Sequence, residues 1–281
     1  MAHVLEADLN TLPVKWLADE PEFTFLADPF GWQENETFHL FAEQYDYRTR
    51  RGVIERLSFD AAGVMTQRQP VLAEDWHLSY PFIFEGEGAI WMLPEAHRSG
   101  RLTLYRAQEG LAEWRSECEI KLDCVPVDAS ILRHDGRWWL FYSPATNKMT
   151  KISHLHVAWA DRLTGPWTPH PGNPVRVDKA SARPGGTPVI INGRIMVPMQ
   201  DCTSTYGGAI RPLWVDRLSD SDFSATSGDR LTAPPSAGAY QDGLHTLSAC
   251  GDKTLLDVKR IDTSLRGMMV DIKRKLGGYN R

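Results

Sequence analysis

Carboxylates, histidines and one arginine recur in this chain at one kind of place, near the start or the end of a short run of β-branched and aromatic residues. Asp28, Asp128, Arg183 and His245 lie toward the starts of such runs, and Glu43 and Glu95 close them. Carboxyl groups whose surroundings push their pKa values apart can divide the work of a general acid and a general base. An arginine beside them suits a phosphate or carboxylate, which a guanidinium grips through two parallel hydrogen bonds. His77, Tyr80, Gln200, Asp201, Tyr206 and His245 would add the donors and acceptors that hold a substrate. Singly, each has a plainer explanation: Asp28 before Pro29 as a turn residue, Glu95 after Pro94 as a solvated strand end, His245 as a satisfied core histidine. Their convergence is what points to chemistry.

The elements that must position them read as strands. Helical periodicity is scarce, and the apolar runs come in pairs across polar turns. Thr24 to Trp32 is followed by Thr37 to Glu43, Tyr80 to Phe84 by Ala89 to Glu95, and Asp128 to Leu132 by Trp138 to Ser143. Arg183 to Ile191 is followed across Asn192-Gly193 by Ile195 to Asp201, and Gly243 to Leu247 by Thr254 to Asp257. Asn-Gly and Asp-Gly between such runs signal hairpins. Taking Phe30, Phe82, Ile131, Val189 and Leu247 as equivalent gives spacings of 52, 49, 58 and 58 residues. Periods of that size in an all-β chain mean propeller blades, which an irregular β-sandwich would not explain. The sequence thus predicts residues 1–281 as a single five-bladed β-propeller domain with four antiparallel strands per blade.

A propeller sorts the polar residues. The start of each first strand meets the end of the second at one mouth of the channel. That mouth receives Asp28, the segment His77 to Tyr80, Asp128, Arg183 and His245 from first strands, and Glu43, Glu95, Tyr142, Gln200-Asp201 and Asp257 from second strands. Such a ring has to be solvated or ligand-bound.

Composition narrows the partners. With 31 Lys+Arg against 36 Asp+Glu the net charge is −5, and no basic run exceeds Lys273-Arg274-Lys275. Nucleic-acid binding is therefore not expected. No stretch has the roughly 18 apolar residues of a membrane span and the N-terminus lacks a signal-peptide core, so the expected location is cytoplasmic. The four cysteines contain no C-x-x-C pair and read as free thiols. His154 and His156 form an H-x-H without a placed third ligand, so no metal is expected, and no motif implies a cofactor. Gly207-Gly208 reads as a blade turn. The several tryptophans (Trp91, Trp138, Trp139, Trp159, Trp167) read mostly as blade packing.

Two segments, Leu26-Ala27-Asp28-Pro29-Phe30 and Val127-Asp128-Ala129-Ser130, together resemble the five-bladed propellers of glycoside hydrolase families 32, 43 and 68. The resemblance implies that Asp28 is a base or nucleophile and that Asp128 tunes pKa and orients substrate. More specific strings are His77-Leu78-Ser79-Tyr80-Pro81-Phe82, Gly165-Pro166-Trp167-Thr168-Pro169-His170, Ala182-Arg183-Pro184-Gly185-Gly186, Gln200-Asp201-Cys202, Tyr206-Gly207-Gly208-Ala209-Ile210 and Gly243-Leu244-His245-Thr246. They are similar to the propeller domain at the N-terminus of plant glucosamine inositolphosphorylceramide transferases and to its bacterial relatives. Family 43 enzymes open the fourth blade with a general-acid Glu, where this chain has Arg183-Pro184. Glu95 or Glu43 would then be the acid, and Arg183 would imply an anionic ligand. The implied function is glycosidase-like hydrolysis or transfer of a glycosyl unit from an anionic sugar or glycoconjugate. The alternative is a non-hydrolytic sugar or sugar-nucleotide binding module serving polysaccharide or glycolipid synthesis.

Overall fold

The computed structural model describes residues 1–6, 9 and 11–262; Lys273-Arg274-Lys275 lies outside them. Every paired run becomes an inner hairpin, and the turns explain why. Asn35, Glu87, Asp135 and Asn192 all take left-handed φ near 50°, three of them followed by a left-handed glycine, as tight hairpin turns require.

The first sheet is β1 (Thr24–Glu34), β2 (Thr37–Asp46), β3 (Arg51–Phe59) and β4 (Met65–Leu72), and the second is β5 (Ser79–Gly86), β6 (Ala89–Glu95), β7 (Thr103–Ala107) and β8 (Trp114–Glu119). In the third, β9 (Pro126–His134) and β10 (Arg137–Pro144) continue to β11 (His154–Ala160), on which both β12 (Thr168–Pro169) and β13 (Arg176–Val177) pair. In the fourth, β14 (Arg183–Pro184) and β15 (Val189–Ile191) both pair with β16 (Arg194–Asp201), followed by β17 (Ala209–Leu218) and β18 (Phe223–Ser227). All these pairings are antiparallel, blade-like meanders. Among the described residues the last sheet has two strands, β19 (Gly243–Cys250) and β20 (Lys253–Lys259).

The expectation of five equal blades is therefore corrected. The described residues form four blades and one inner hairpin. An inner hairpin recurs without its outer strands here: among the described residues nothing pairs with the outer edge of β20. Residues near the N-terminus pack on this hairpin instead: Val4 and Leu9 join Ile210, Leu244 and Leu247 in one apolar cluster. The tryptophans are mostly packing, as read, with Trp91, Trp138, Trp139 and Trp167 buried in the blade clusters.

The inner strands share a device. Pairing is interrupted between Ala27 and Phe30, Ser79 and Phe82, Val127 and Ser130, and Leu244 and Thr246. At the first three bulges sit Asp28, Tyr80 and Asp128, with left-handed φ of 51°, 47° and 49°. A bulge with a left-handed residue re-aims one side chain out of the strand's alternation, which is how a strand start can face a channel. The register also shifts the third repeat by one: Ser130, not Ile131, lies opposite Phe141, as Phe30 lies opposite Phe41 and Phe82 opposite Leu93.

The fourth blade and the last hairpin are joined through backbone. Gly186 bridges Leu247, the Leu247 N–H donates to Gly185 O at 2.8 Å, and a Cβ on Gly186 would stand 1.7 Å from Leu247 O at a φ of 145°. We expect Gly186→Ala to destabilise the fold by about 2–3 kcal/mol, since neither backbone can retreat without losing this pairing. Urea unfolding checks it; an unchanged midpoint would show that the junction yields freely.

Candidate functional site at the channel mouth

Asp28, on the β1 bulge and 4% exposed, is the centre of the first group. Its Oδ1 accepts from Thr246 Oγ1 at 2.7 Å and lies 3.1 Å from His245 Nδ1, while its own N–H donates to Asp257 Oδ2 at 2.9 Å. Asp257 also takes the Thr246 N–H at 2.7 Å and stands 3.6 Å from His245 Nδ1. Burial opposes a charge on His245, but Tyr206, Asp28 and Asp257 outweigh it and raise its pKa well above the usual histidine value. Burial likewise works to raise Asp28, and His245 more than reverses this, leaving its pKa lowered. Asp28, His245 and Asp257 place three metal-ligating atoms within 4.8 Å of one another. The raised pKa of His245 lets the ring itself supply a cation between the two carboxylates. The His245 Nε2 is buried and has no partner among the described residues.

The second group joins the third and fourth blades. Asp128 Oδ2 accepts from Arg183 Nε at 2.7 Å and Gln200 Nε2 at 2.6 Å, and all three residues are buried. Arg183 also donates to Lys151 O at 3.0 Å and Tyr206 Oη at 3.2 Å. The Tyr206 ring lies 4.8 Å from the guanidinium on one side and 4.8 Å from the His245 ring on the other, linking the groups. Gly207 is needed beside it, since a Cβ there would meet His245 Cδ2 at 2.4 Å.

The third group comes from the second strands. Ser79 pairs with Glu95 as Ala27 pairs with Glu43, so the two glutamates hold matching places in adjacent blades. Their surroundings differ sharply. Glu95 receives the His97 N–H at 2.8 Å, lies 2.6 Å from His97 Nδ1 and receives Ser79 Oγ at 3.1 Å; burial works to raise its pKa, yet His97 holds it at about 2. Glu43 has His77 Nε2 at 3.7 Å. The Gly52 N–H donates to His77 Nδ1 at 2.8 Å, so the ring proton sits on Nε2, facing Glu43. Burial, then the charges of Asp28 and Glu95, push Glu43 well above the ordinary carboxylate range.

These groups act on one another: Glu43 responds to Asp28, Glu95, His245 and Asp257, and Asp128 to Arg183, Asp28, Glu95 and His245. A cavity of about 1780 Å³ runs instead along the first blade and the β19–β20 hairpin, and shares only Tyr206 and Asp257 with this cluster. The ionisable side chains converge at the mouth, not in that cavity.

Residues 17–238 match the family described as glucosamine inositolphosphorylceramide transferase 1, N-terminal. The chain belongs to that family. Its relatives include glucosamine inositolphosphorylceramide transferase 1 of Oryza sativa subsp. indica, 36% identical over 203 residues, which are 71% of this chain and 27% of the relative. The Arabidopsis thaliana protein of the same name is 35% identical over 203 residues, 71% of this chain and 26% of its own. This member of the transferase N-terminal family thus spans about a quarter of the length of those relatives. Among solved structures, the catalytic domain of the GH62 α-L-arabinofuranosidase of Coprinopsis cinerea superposes with a TM-score of 0.62 at 11% identity, covering 88% of each chain. A family 117 glycoside hydrolase of Zobellia galactanivorans gives 0.59 at 12% identity, covering 75% of this chain and 71% of its own. Both share the propeller fold.

In this family member the fold brings Asp28, Asp128, Glu43, Glu95, His77, Arg183, Gln200, Tyr206 and His245 near one another. Three residues do not join them. Tyr80 is fully buried, its hydroxyl 2.8 Å from Ser130 Oγ and accepting the Gly186 N–H at 2.6 Å, so it pins three blades together. Asp201, next to Gln200 on β16, faces the opposite way and pairs with Arg211 at 3.0 Å and Arg230 at 3.3 Å. Tyr142 gives its place at the mouth to Ser143, which pairs with Val127. Arg183, read as an anion receptor, has its charge met by Asp128. Sequence reasoning missed His97 and Thr246; a histidine two residues past Glu95 was the available signal for the first.

Proposed function

We propose that the mouth binds a glycosyl unit of a sugar or glycoconjugate and catalyses its hydrolysis or transfer, with Glu43 as general acid and Asp28 as general base or nucleophile. The observation that carries this is the convergence of buried carboxyl groups with opposed environments. Burial and negative neighbours raise the pKa of Glu43, while His245 and Thr246 outweigh burial and lower that of Asp28. Such a split assigns acid and base. Glu95, kept at about 2 by His97, is the weaker candidate for the acid. The fold shared with glycoside hydrolases supports the substrate class, and the transferase relatives support transfer as an outcome. An acidic group on the ligand has less support than the sequence implied, because Arg183 already spends three donors inside the protein.

The test is turnover of a panel of aryl glycosides, oligosaccharides and glycosylated inositol phospholipids. Because the acid must be protonated, activity should fall as pH rises through the raised pKa of Glu43. It should also fall at acid pH as Asp28 takes up a proton, below the usual aspartate range. Glu43→Gln should lower turnover about 100-fold on substrates with sugar leaving groups, spare 2,4-dinitrophenyl glycosides, which leave unassisted, and remove the basic limb. A loss independent of the leaving group would exclude Glu43 as the acid.

A second reading is that this domain binds a glycan without turning it over. The family match favours it, since that match is to the N-terminal part of the transferases. Saturable binding of a glycan by the wild-type chain with no turnover under any donor and acceptor pairing would select it.

A further inference from the structure

Outside the mouth, the link between the second and third blades brings a different set of side chains together. Asp123 and Cys124 lie just before β9, and His156 lies on β11. Asp123 Oδ2 is 2.9 Å from His156 Nδ1, Asp123 Oδ1 is 3.5 Å from Cys124 Sγ, and one ligating atom from each of the three falls within 4.8 Å of the others. We propose that Asp123, Cys124 and His156 form a binding site for a divalent transition-metal ion of the zinc class, with a fourth position left to solvent.

The geometry supports this. Bond lengths of about 2.3 Å to sulfur and 2.0–2.2 Å to nitrogen and oxygen put neighbouring ligands of a tetrahedral zinc about 3.3–3.6 Å apart. The Asp123 Oδ1–Cys124 Sγ separation already has that value, while the His156 ring meets the other oxygen, Oδ2, about 0.4 Å closer than that range, so a modest turn of the carboxylate would present one oxygen to the ion between sulfur and nitrogen. Mixed carboxylate, imidazole and thiolate donors select a borderline-soft ion over calcium or magnesium. Outer partners are in place too. Tyr142 Oη donates to Asp123 Oδ1 at 2.5 Å and Asn173 Nδ2 to Oδ2 at 3.4 Å, while Asn173 is itself clamped to the Val157 backbone at 2.9 and 3.0 Å. Carboxylate ligands oriented in this way are typical of metal sites. The Asp123 side chain is 31% exposed, which opens a path to solvent. Binding replaces the thiol proton of Cys124, which leaves as H⁺, so affinity falls with falling pH. The ion would fasten the link between blades to β11, independently of any catalysis at the mouth. The H-x-H motif lacked a third ligand in sequence; the fold supplies Asp123 and Cys124 to His156, and leaves His154 beside Ser153.

The test uses the full chain after chelator treatment, titrated with Zn²⁺ or Co²⁺. We expect one equivalent bound, a near-ultraviolet thiolate-to-cobalt band and a rise in Tm with Zn²⁺. Cys124→Ser should abolish the band and weaken Zn²⁺ at least 100-fold, Tyr142→Phe should weaken it about 10- to 100-fold, and Cys118→Ser should change nothing. A Co²⁺ complex without the thiolate band, wild-type Zn²⁺ affinity in Cys124→Ser and His156→Ala, or no saturable binding by the wild-type chain would each overturn the site.

Discussion

Asp28→Asn is expected to lower kcat for glycosyl turnover by about 1000-fold while leaving ligand affinity within about tenfold. The magnitude is that of a lost acid–base partner, a loss felt mainly in the transition state. Asparagine is a clean probe here. It tolerates the left-handed φ of 51° as aspartate does, and its side-chain oxygen can still accept from Thr246. What it cannot do is take a proton or attack a sugar. Because the same carboxylate helps to hold the charge on His245, the variant should also lower the pKa of that ring, visible by NMR titration. A variant with full activity on a confirmed substrate would remove Asp28 from the chemistry and sink the mechanism proposed here.

Arg183→Ala should destabilise the fold by about 3–5 kcal/mol, because it leaves Asp128 buried without its cation. For a chain of this size that is a fall in Tm of roughly 6–20 °C. Both side chains are under a tenth exposed, so solvent cannot replace the lost partner. The double variant Asp128→Ala/Arg183→Ala should recover part of the loss, since it removes the stranded charge, and the coupling energy from the cycle measures the pair. The result also decides how Arg183 is used. An unchanged Tm together with weakened ligand binding would show a guanidinium reserved for an anion, as the sequence alone suggested. A large loss of Tm shows that its first duty is to join the third blade to the fourth.

The sequence by itself determined the all-β class, the inner hairpins and most of the residues at the mouth. Those features are local: turn residues with left-handed propensity and alternating apolar runs act within about a dozen positions, and the recurrence of the pattern fixes which strand ends meet. Tertiary structure decided the rest. Among the described residues the β19–β20 hairpin carries no outer strands, and what packs on it includes a segment some 240 residues away, which no local pattern reports. The facing of Gln200 against Asp201 turns on a single step of strand register, and Tyr80 became a buried pin because a bulge turned its ring toward Gly186. Least legible were the charges. Glu43 and Glu95 occupy equivalent places after similar strands, and only the neighbours that folding brings in, Asp28 and its own burial for one and His97 for the other, push one pKa up and the other down.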